Sequence, residues 1–384
     1  MQEQPTMHLS GGWRMRLALA RVLFCEPEIL MLDEPTNHLD LDAVMWLQDY
    51  LIGWDKTVLV VSHAREFLNN VCTDIIHYDN MKLDYYKGGY DDFERVRSEK
   101  ITQSKKEFES QQKKMGHVQE FIDRFRCNAK KASLVQSRIK YLNRLEKVEQ
   151  VLDDPTTIFM FDNPEKLRPP IVRLDEGEFG YTDDTTLLRD LTFSLEMQSK
   201  VAILGANGVG KTTLLKMLMG EYESRKGEFY KNPRAKIALF SQHHVEHLNV
   251  TLSPFEQFTT QFSNATTESI RTHLSNFGVT GNLCIRPIYL LSGGQKARVA
   301  LAMTAWGNPH VMIMDEPTNH LDIDAVDALI VALSNYTGGL IIVSHDQYFV
   351  SCICDQIWYI KDTKLKRFNG DFEEYRKALS VNRL

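Results

Sequence analysis

The sequence predicts an α/β fold in which buried parallel strands alternate with helices, and three observations carry that prediction. A glycine-rich loop, Gly205-Ala-Asn-Gly-Val-Gly210-Lys211-Thr212, lies between an apolar strand-like run (201–204) and a helix-like stretch (214–219). Short apolar runs at 29–32 and 311–314 end at Asp-Glu, and those at 57–61 and 340–343 end at Ser-His. Continuous apolar runs of this length, alternating with helical patterns, read as strands covered on both faces. Finally, LSGGWRMRLALARVLFCEPEILMLDEPTNHLD from Leu9 returns as LSGGQKARVALAMTAWGNPHVMIMDEPTNHLD from Leu291.

The repeat sets the domain organisation. Its offset is 282, placing Ser10 on Ser292, Asp33 on Asp315, Glu34 on Glu316, His63 on His345 and Tyr90 on Phe372. A constant offset over this span means two copies of one domain type. The copies are unequal: Met1 aligns with Leu283, so the opening part of the first copy, including any phosphate loop, is expected to be missing. The expected layout is residues 1–91 as the C-terminal part of a first domain, 92–168 as a linker, and 169–384 as a complete second domain. An N-terminally truncated fragment is the favoured explanation, because the remaining strands need partners.

Each element has a local reason. Ser10-Gly11-Gly12 and Ser292-Gly293-Gly294 each precede an amphipathic, Arg- and Ala-rich segment and read as helix N-termini. Residues 92–150 contain no proline and one glycine, Gly116. Val118, Phe121, Ile122 and Phe125, then Val135, Ile139, Leu142, Leu145 and Val148, fall at helical spacing, which predicts a helical hairpin bending near 128–133. Pro155, Pro164, Pro169 and Pro170 punctuate an extended connector.

Composition is that of a globular protein: 384 residues, 43% hydrophobic and 25% charged, with a net charge of −6. The average hides a strong local charge. Residues 95–147 hold 15 Lys or Arg against 6 Asp or Glu, a net of +9, so the rest of the chain carries −15. Arg124, Arg126, Lys130, Lys131, Arg138, Lys140 and Arg144 follow one another without an acidic residue between them, with Phe125 and Tyr141 interleaved. A basic stripe on an acidic protein is a footprint for phosphate backbones; a solvated linker helix would mix its signs. No run of 18 apolar residues exists, so no membrane span is expected. Six scattered cysteines, of which only Cys352 and Cys354 lie close together as Cys-x-Cys, suit an intracellular, cytoplasmic chain better than a disulfide scaffold or a zinc site.

The glycine-rich loop has the pattern that wraps phosphates in backbone N–H groups at a helix N-terminus. Gly205, Asn207, Gly208 and Gly210 shape it, Lys211 reaches the β- and γ-phosphates, Thr212 offers a hydroxyl to Mg²⁺, and Thr213 follows. Asp315 closes an apolar strand and can hold Mg²⁺; Glu316, on the other side of an extended chain, can polarise a water. His345 is a candidate γ-phosphate contact, supported by the equal 29-residue step from Glu34 to His63 and from Glu316 to His345. Gln242, after the run 237–240, is a candidate for Mg²⁺ or the attacking water. Tyr181 is either an adenine-stacking ring or an ordinary strand aromatic.

The phosphate loop, Gln242, LSGGQ, MIMDEPTNHLD and His345, in this order, resemble an ABC-type ATPase domain. Two such domains joined by a basic helical hairpin, with LDEPTNHLD or its near match in each, resemble the ABC-F family. FIDRFRCNAKKASLVQSR, FSQHHVEHL and GGWRMRLALA look most like its third eukaryotic subgroup, that of the general amino-acid control type. The resemblance implies that ATP is sandwiched head to tail. Lys211, Thr212, Gln242, Asp315, Glu316 and His345 would form one ATP·Mg²⁺ site facing Ser10, Gly11 and Gly12. Asp33, Glu34 and His63, facing Ser292, Gly293, Gly294 and Gln295, would be remnants of a second. It further implies ATP hydrolysis, a ribosome partner with the hairpin touching tRNA and rRNA, and translation-control proteins as partners of an N-terminal region. An ATPase subunit of a membrane transporter and a non-hydrolysing scaffold are the alternatives. Trp13 in place of Gln295, and Ala64 in place of Asp346, are departures that set the two copies apart.

Overall fold

The computed structural model describes residues 5–9, 11–79, 81–125, 132–144, 158–181, 186–241, 245 and 248–381. In chain order the first copy comprises α1 (Gly11–Phe24), β1 (Ile29–Asp33), α2 (Leu41–Ile52), β2 (Thr57–Val61), α3 (Arg65–Val71), β3 (Asp74–Asp79) and β4 (Lys82–Lys87). Then come α4 (Tyr90–Phe125) and α5 (Ala132–Arg144). The second copy opens with β5 (Val172–Phe179), β6 (Leu188–Leu195), β7 (Lys200–Leu204), α6 (Lys211–Met219), β8 (Lys226–Lys231) and β9 (Ile237–Phe240). After these, α7 (Pro254–Gln261) and α8 (Thr267–Ser275) lead to α9 (Gly293–Ala305), β10 (Val311–Asp315), α10 (Ile323–Ser334) and β11 (Gly339–Val343). The last elements are α11 (Gln347–Ile353), β12 (Gln356–Lys361), β13 (Lys364–Phe368) and α12 (Phe372–Val381). The chain divides into two compact units, Met1–Phe67 with Thr157–Leu384, and Leu68–Thr156.

The larger unit is built on a six-stranded sheet of order β13-β12-β7-β11-β10-β9, parallel except for the β12–β13 hairpin. A three-stranded antiparallel sheet, β6-β5-β8, accompanies it. Alternate residues of the central strands serve two cores. Val311 and Ile313 join Leu214, Leu215 and Leu218 of α6, whereas Met312 and Met314 join Phe258, Leu274 and Phe277 on the helical side. Both faces being covered is why these strands read as unbroken apolar runs. Fully burying one such side chain stabilises by about 1.5–3 kcal/mol, so the sheet gives α6 and the loop before it a firm base.

The first copy repeats this geometry with one face uncovered. β1 pairs with β2 in the register that β10 keeps with β11: Ile29 lies opposite Thr57 and Asp33 opposite Val61, as Val311 lies opposite Gly339 and Asp315 opposite Val343. Leu30 and Leu32 are buried, but Ile29 and Met31 are 63% and 71% exposed, where Val311 and Ile313 are at most 1% exposed. Leu41 and Met45 of α2 pack with Ala202, Leu204, Val350 and Phe372, which joins the first-copy segment to the second domain.

The smaller unit holds the antiparallel β3–β4 pair, α4 and α5. Phe93 is the centre of its aromatic cluster, with Tyr86 at 4.9 Å, His77 at 5.2 Å and Tyr90 at 5.6 Å. Ile122 is buried, and the Arg138 guanidinium lies 6.0 Å over the Phe121 ring. The connector returns to the larger unit's core: Phe159 is buried, and Phe161 meets Phe277 edge-on at 5.2 Å.

Candidate functional site

The phosphate loop leaves β7 at Leu204 and enters α6 at Lys211. Gly210 occupies the N-cap of α6 at φ +107°, a left-handed conformation that a side chain would strain. Lys211 folds back over the loop, its Nζ donating to Gly205 O at 2.7 Å and Ala206 O at 3.3 Å, and lying 3.5 Å from His345 Nε2. Burial pushes its pKa down, opposed by the charges of Glu316, Asp315 and Asp40. The Thr212 hydroxyl donates to Asp315 Oδ2 at 3.3 Å. A hydroxyl and a strand-end carboxylate side by side are hard oxygen donors that fit Mg²⁺. Gln242, assigned to the same ion from the sequence, lies outside the described residues.

Glu316 does not continue the strand as an extended residue, contrary to the sequence reading. β10 ends at Asp315, and Glu316 turns at φ +51° while its N–H donates to Val343 O at 2.8 Å. This left-handed turn, costly for a non-glycine residue, aims the carboxylate at His345, whose Nε2 stands 3.5 Å from Glu316 Oε1. Burial pushes the Glu316 carboxyl up to about 8; the charge of Asp315 adds to that shift and Lys211 opposes it. Burial, reinforced by the charge of Lys211, drives His345 down to about 3. Burial thus favours the uncharged form of both groups. Glu316 Oε1 and His345 Nδ1 are buried without a hydrogen-bond partner among the described residues. Buried polar atoms are nearly always satisfied, so this pair fits a phosphate-bound ligand and its water.

The first copy closes one side of the loop. Asn207 N donates to Asp40 Oδ2 at 3.3 Å, and Asn207 Nδ2 donates to His38 O at 2.9 Å. Arg16 pairs with both oxygens of Asp40, which is buried. Burial alone would raise the Asp40 pKa, but hydrogen bonds from Arg16 and from the Asn207 and Ala43 N–H groups hold it below its ordinary value. Gly12 lies in this contact: a Cβ there would come within 2.6 Å of Asn207 Nδ2 and 2.9 Å of His38 O. Gly11 is the first residue of α1, and Ser10 lies outside the described residues. Asp40, His38 and Arg16 were not singled out from the sequence, although Asn-His-Leu-Asp occurs in both copies with no chemistry assigned to its last residue.

Tyr181 follows β5, and its hydroxyl lies 2.8 Å from Thr213 Oγ1 on α6. Its ring meets Phe179 edge-on at 5.3 Å and is 66% exposed.

The second-site residues are arranged differently. His63 Nε2 is 3.6 Å from Glu34 Oε1, but its side chain is half exposed. Burial, opposed by His63, raises the Glu34 pKa. Asp33 ends β1. Ser292 caps α9 in a reciprocal capping box with Gln295, ahead of Gly293 and Gly294. Trp13 holds the Gln295 position in α1 and takes Arg16 over its ring at 5.0 Å. One cavity of about 70 Å³ is lined by Glu34 and His63 of the first copy and by Glu316 and His345 of the second.

On the hairpin, Arg124 lies in the last turn of α4, and Arg138 and Lys140 are exposed on α5. Arg126, Lys130 and Lys131 lie outside the described residues, and Arg144 is the last residue of α5.

Comparison with known proteins agrees with this geometry. A family model described as "ABC transporter" matches residues 1–37 and 188–319, and a second of the same description matches residues 76–159. ABC transporter F family member 3 of Arabidopsis thaliana is 49% identical over 380 residues, which is 99% of this chain and 53% of that protein. The chain belongs to the ABC-F family. Protein GCN20 of Saccharomyces cerevisiae is 46% identical over 376 residues, 98% of this chain and 50% of that one. ATP-binding cassette sub-family F member 3 of Homo sapiens is 44% identical over 380 residues, 99% and 54%. The chain thus spans about half the length of these relatives. Among solved structures, the complex of archaeal ribosomal stalk protein aP1 with ribosome recycling factor aABCE1 matches with a TM-score of 0.62 and 19% identity, covering 97% of this chain and 67% of that one. That likeness is one of fold. Among the described residues no helix is long and apolar enough to cross a membrane.

Proposed function

We propose that this ABC-F chain hydrolyses ATP at the Lys211 site and that hydrolysis controls its association with the ribosome, the basic hairpin contacting rRNA and tRNA. The observation that carries the first part is the cluster of Lys211, Glu316 and His345 within about 3.5 Å contacts, with Asp40 of the first copy on the loop. Bound ATP·Mg²⁺ supplies the phosphoanhydride and a cation beside Asp315. Lys211 exchanges loop carbonyls for phosphate oxygens, and Gly11 and Gly12 bring the N-terminus of α1 to the opposite side. In its ionised form, favoured by Lys211, Glu316 accepts a proton from the attacking water, and His345 orients that group.

The second part rests on the net charge of +9 over residues 95–147 and on the exposure of Arg138 and Lys140. Neutralising phosphates releases counterions, so binding should weaken steeply with salt. Domain separation after hydrolysis would then let the chain leave the ribosome. Translation-control proteins are proposed as further partners of the whole protein.

The test is co-sedimentation with ribosomes in ATP. Glu316→Gln, which should keep ATP bound while slowing turnover, is expected to raise the ribosome-bound fraction. Reversing Arg124, Arg138 and Lys140 to Glu should lower it and flatten its salt dependence. Equal, salt-independent binding by all three proteins would refute the ribosome reading.

A further inference from the structure

Arg65 belongs to neither ATP site, yet it joins the loops that carry both histidines. It opens α3 two residues after His63, and its side chain is nearly buried. Its guanidinium pairs with Asp327 on α10 and lies 4.8 Å over the ring of Tyr348, three residues after His345. Tyr348 is the second residue of α11, which Asp346 caps by accepting the Phe349 N–H at 3.1 Å. The cavity that holds Glu34, His63, Glu316 and His345 is also lined by Arg65 and Asp346.

Among the described residues the mirror positions do not repeat this direct contact. At the repeat offset, Gln347 holds the Arg65 position, Met45 the Asp327 position and Glu66 the Tyr348 position. Met45 is buried in an apolar cluster that includes Val350, and the Arg376 guanidinium donates to Gln347 Oε1 at 3.5 Å and lies 3.8 Å from Glu66 Oε2. A fixed ion pair with a stacked guanidinium therefore ties the first-copy histidine loop directly to the second, whereas the mirror positions Gln347 and Glu66 are linked only at longer range through Arg376, at 3.5 and 3.8 Å.

We propose that Arg65 is a positioning residue that couples the two histidine loops. By holding Tyr348 and Asp327 it sets the start of α11, and so the placement of His345 against Glu316. This inference rests on ATP hydrolysis at the Lys211 site.

Steady-state ATP turnover by the 384-residue chain tests it. Arg65→Ala is expected to lower kcat about 10-fold with KM changed less than about 2-fold, because the residue touches no substrate. Asp327→Asn should do the same, and the double variant should be no slower than either single one. Arg65→Lys, which keeps the charge and supports the fold, should recover most of the rate. An unchanged kcat for Arg65→Ala, a rise in KM alone, or multiplying losses in the double variant would overturn the coupling. Absence of turnover in the unaltered chain would instead overturn the hydrolysis reading.

Discussion

The two copies carry the same Glu–His pair at nearly the same separation, 3.6 Å for Glu34–His63 and 3.5 Å for Glu316–His345, and differ in what surrounds it. The His63 side chain is 50% exposed, and the His345 side chain 12%. Lys211 stands beside the second pair, and Asp315 faces Thr212. The last residue of the repeated Asn-His-Leu-Asp differs likewise. Asp40 is buried on the phosphate loop, whereas the side chain of its counterpart Asp322 is 58% exposed, 3.6 Å from Arg298. A motif brings the groups to one place, and the elements packed against it decide whether they are desolvated enough to do chemistry.

Removing the cation of the phosphate loop should have a large effect. Lys211→Ala should lower ATP turnover by about 10²–10³-fold or more, as loss of a cation facing developing charge does elsewhere; filter-binding and phosphate release would measure it. Next come the paired aspartates. Both cap a helix, Asp40 through Ala43 N and Asp322 through Ala325 N, so either change to Ala should cost about 1 kcal/mol of stability. Asp40→Ala should also slow turnover about 10-fold by freeing Asn207 and leaving Arg16 unpaired, whereas Asp322→Ala should leave turnover within about 2-fold.

A smaller effect separates the two glutamates in stability. The Glu316 pKa is raised from 4.5 to about 8 in the folded chain, so the folded state binds this proton more tightly than the unfolded one. Its stabilising contribution is full below the unfolded value and is lost as pH rises through the folded one. Glu316→Gln should therefore raise the melting temperature little at pH 5 and on the order of 5 °C at pH 8. Glu34→Gln should show a weaker trend of the same sign, since Glu34 is raised less deeply in the protein. Thermal melts across that range would check both.

The sequence displayed the strands, the phosphate loop, the unequal repeat and the helical character of residues 92–125 and 132–144, because each rests on local periodicity or on short text. β10 and β11 read clearly since both faces are buried. The turn at Glu316 was not legible, since Asp-Glu-Pro carries no glycine to announce a left-handed residue; only the bond to Val343 O fixes it. Asp40 and Arg65 were missed for a related reason. Their partners, Asn207 in one case and Asp327 and Tyr348 in the other, lie more than 160 residues away in the chain, and nothing local marks them. The exposed Ile29 and Met31 were equally invisible, being apolar at positions that the second copy buries.

The central claim is that only the Glu316 half of this pair of copies supports hydrolysis in the chain. ATP turnover measured side by side for Glu316→Gln and Glu34→Gln tests it most directly. The account predicts a loss of about 10²–10⁴-fold for Glu316→Gln, the range for a general base, and a change within about 2-fold for Glu34→Gln. Equal losses in the two variants, or a larger loss for Glu34→Gln, would contradict it.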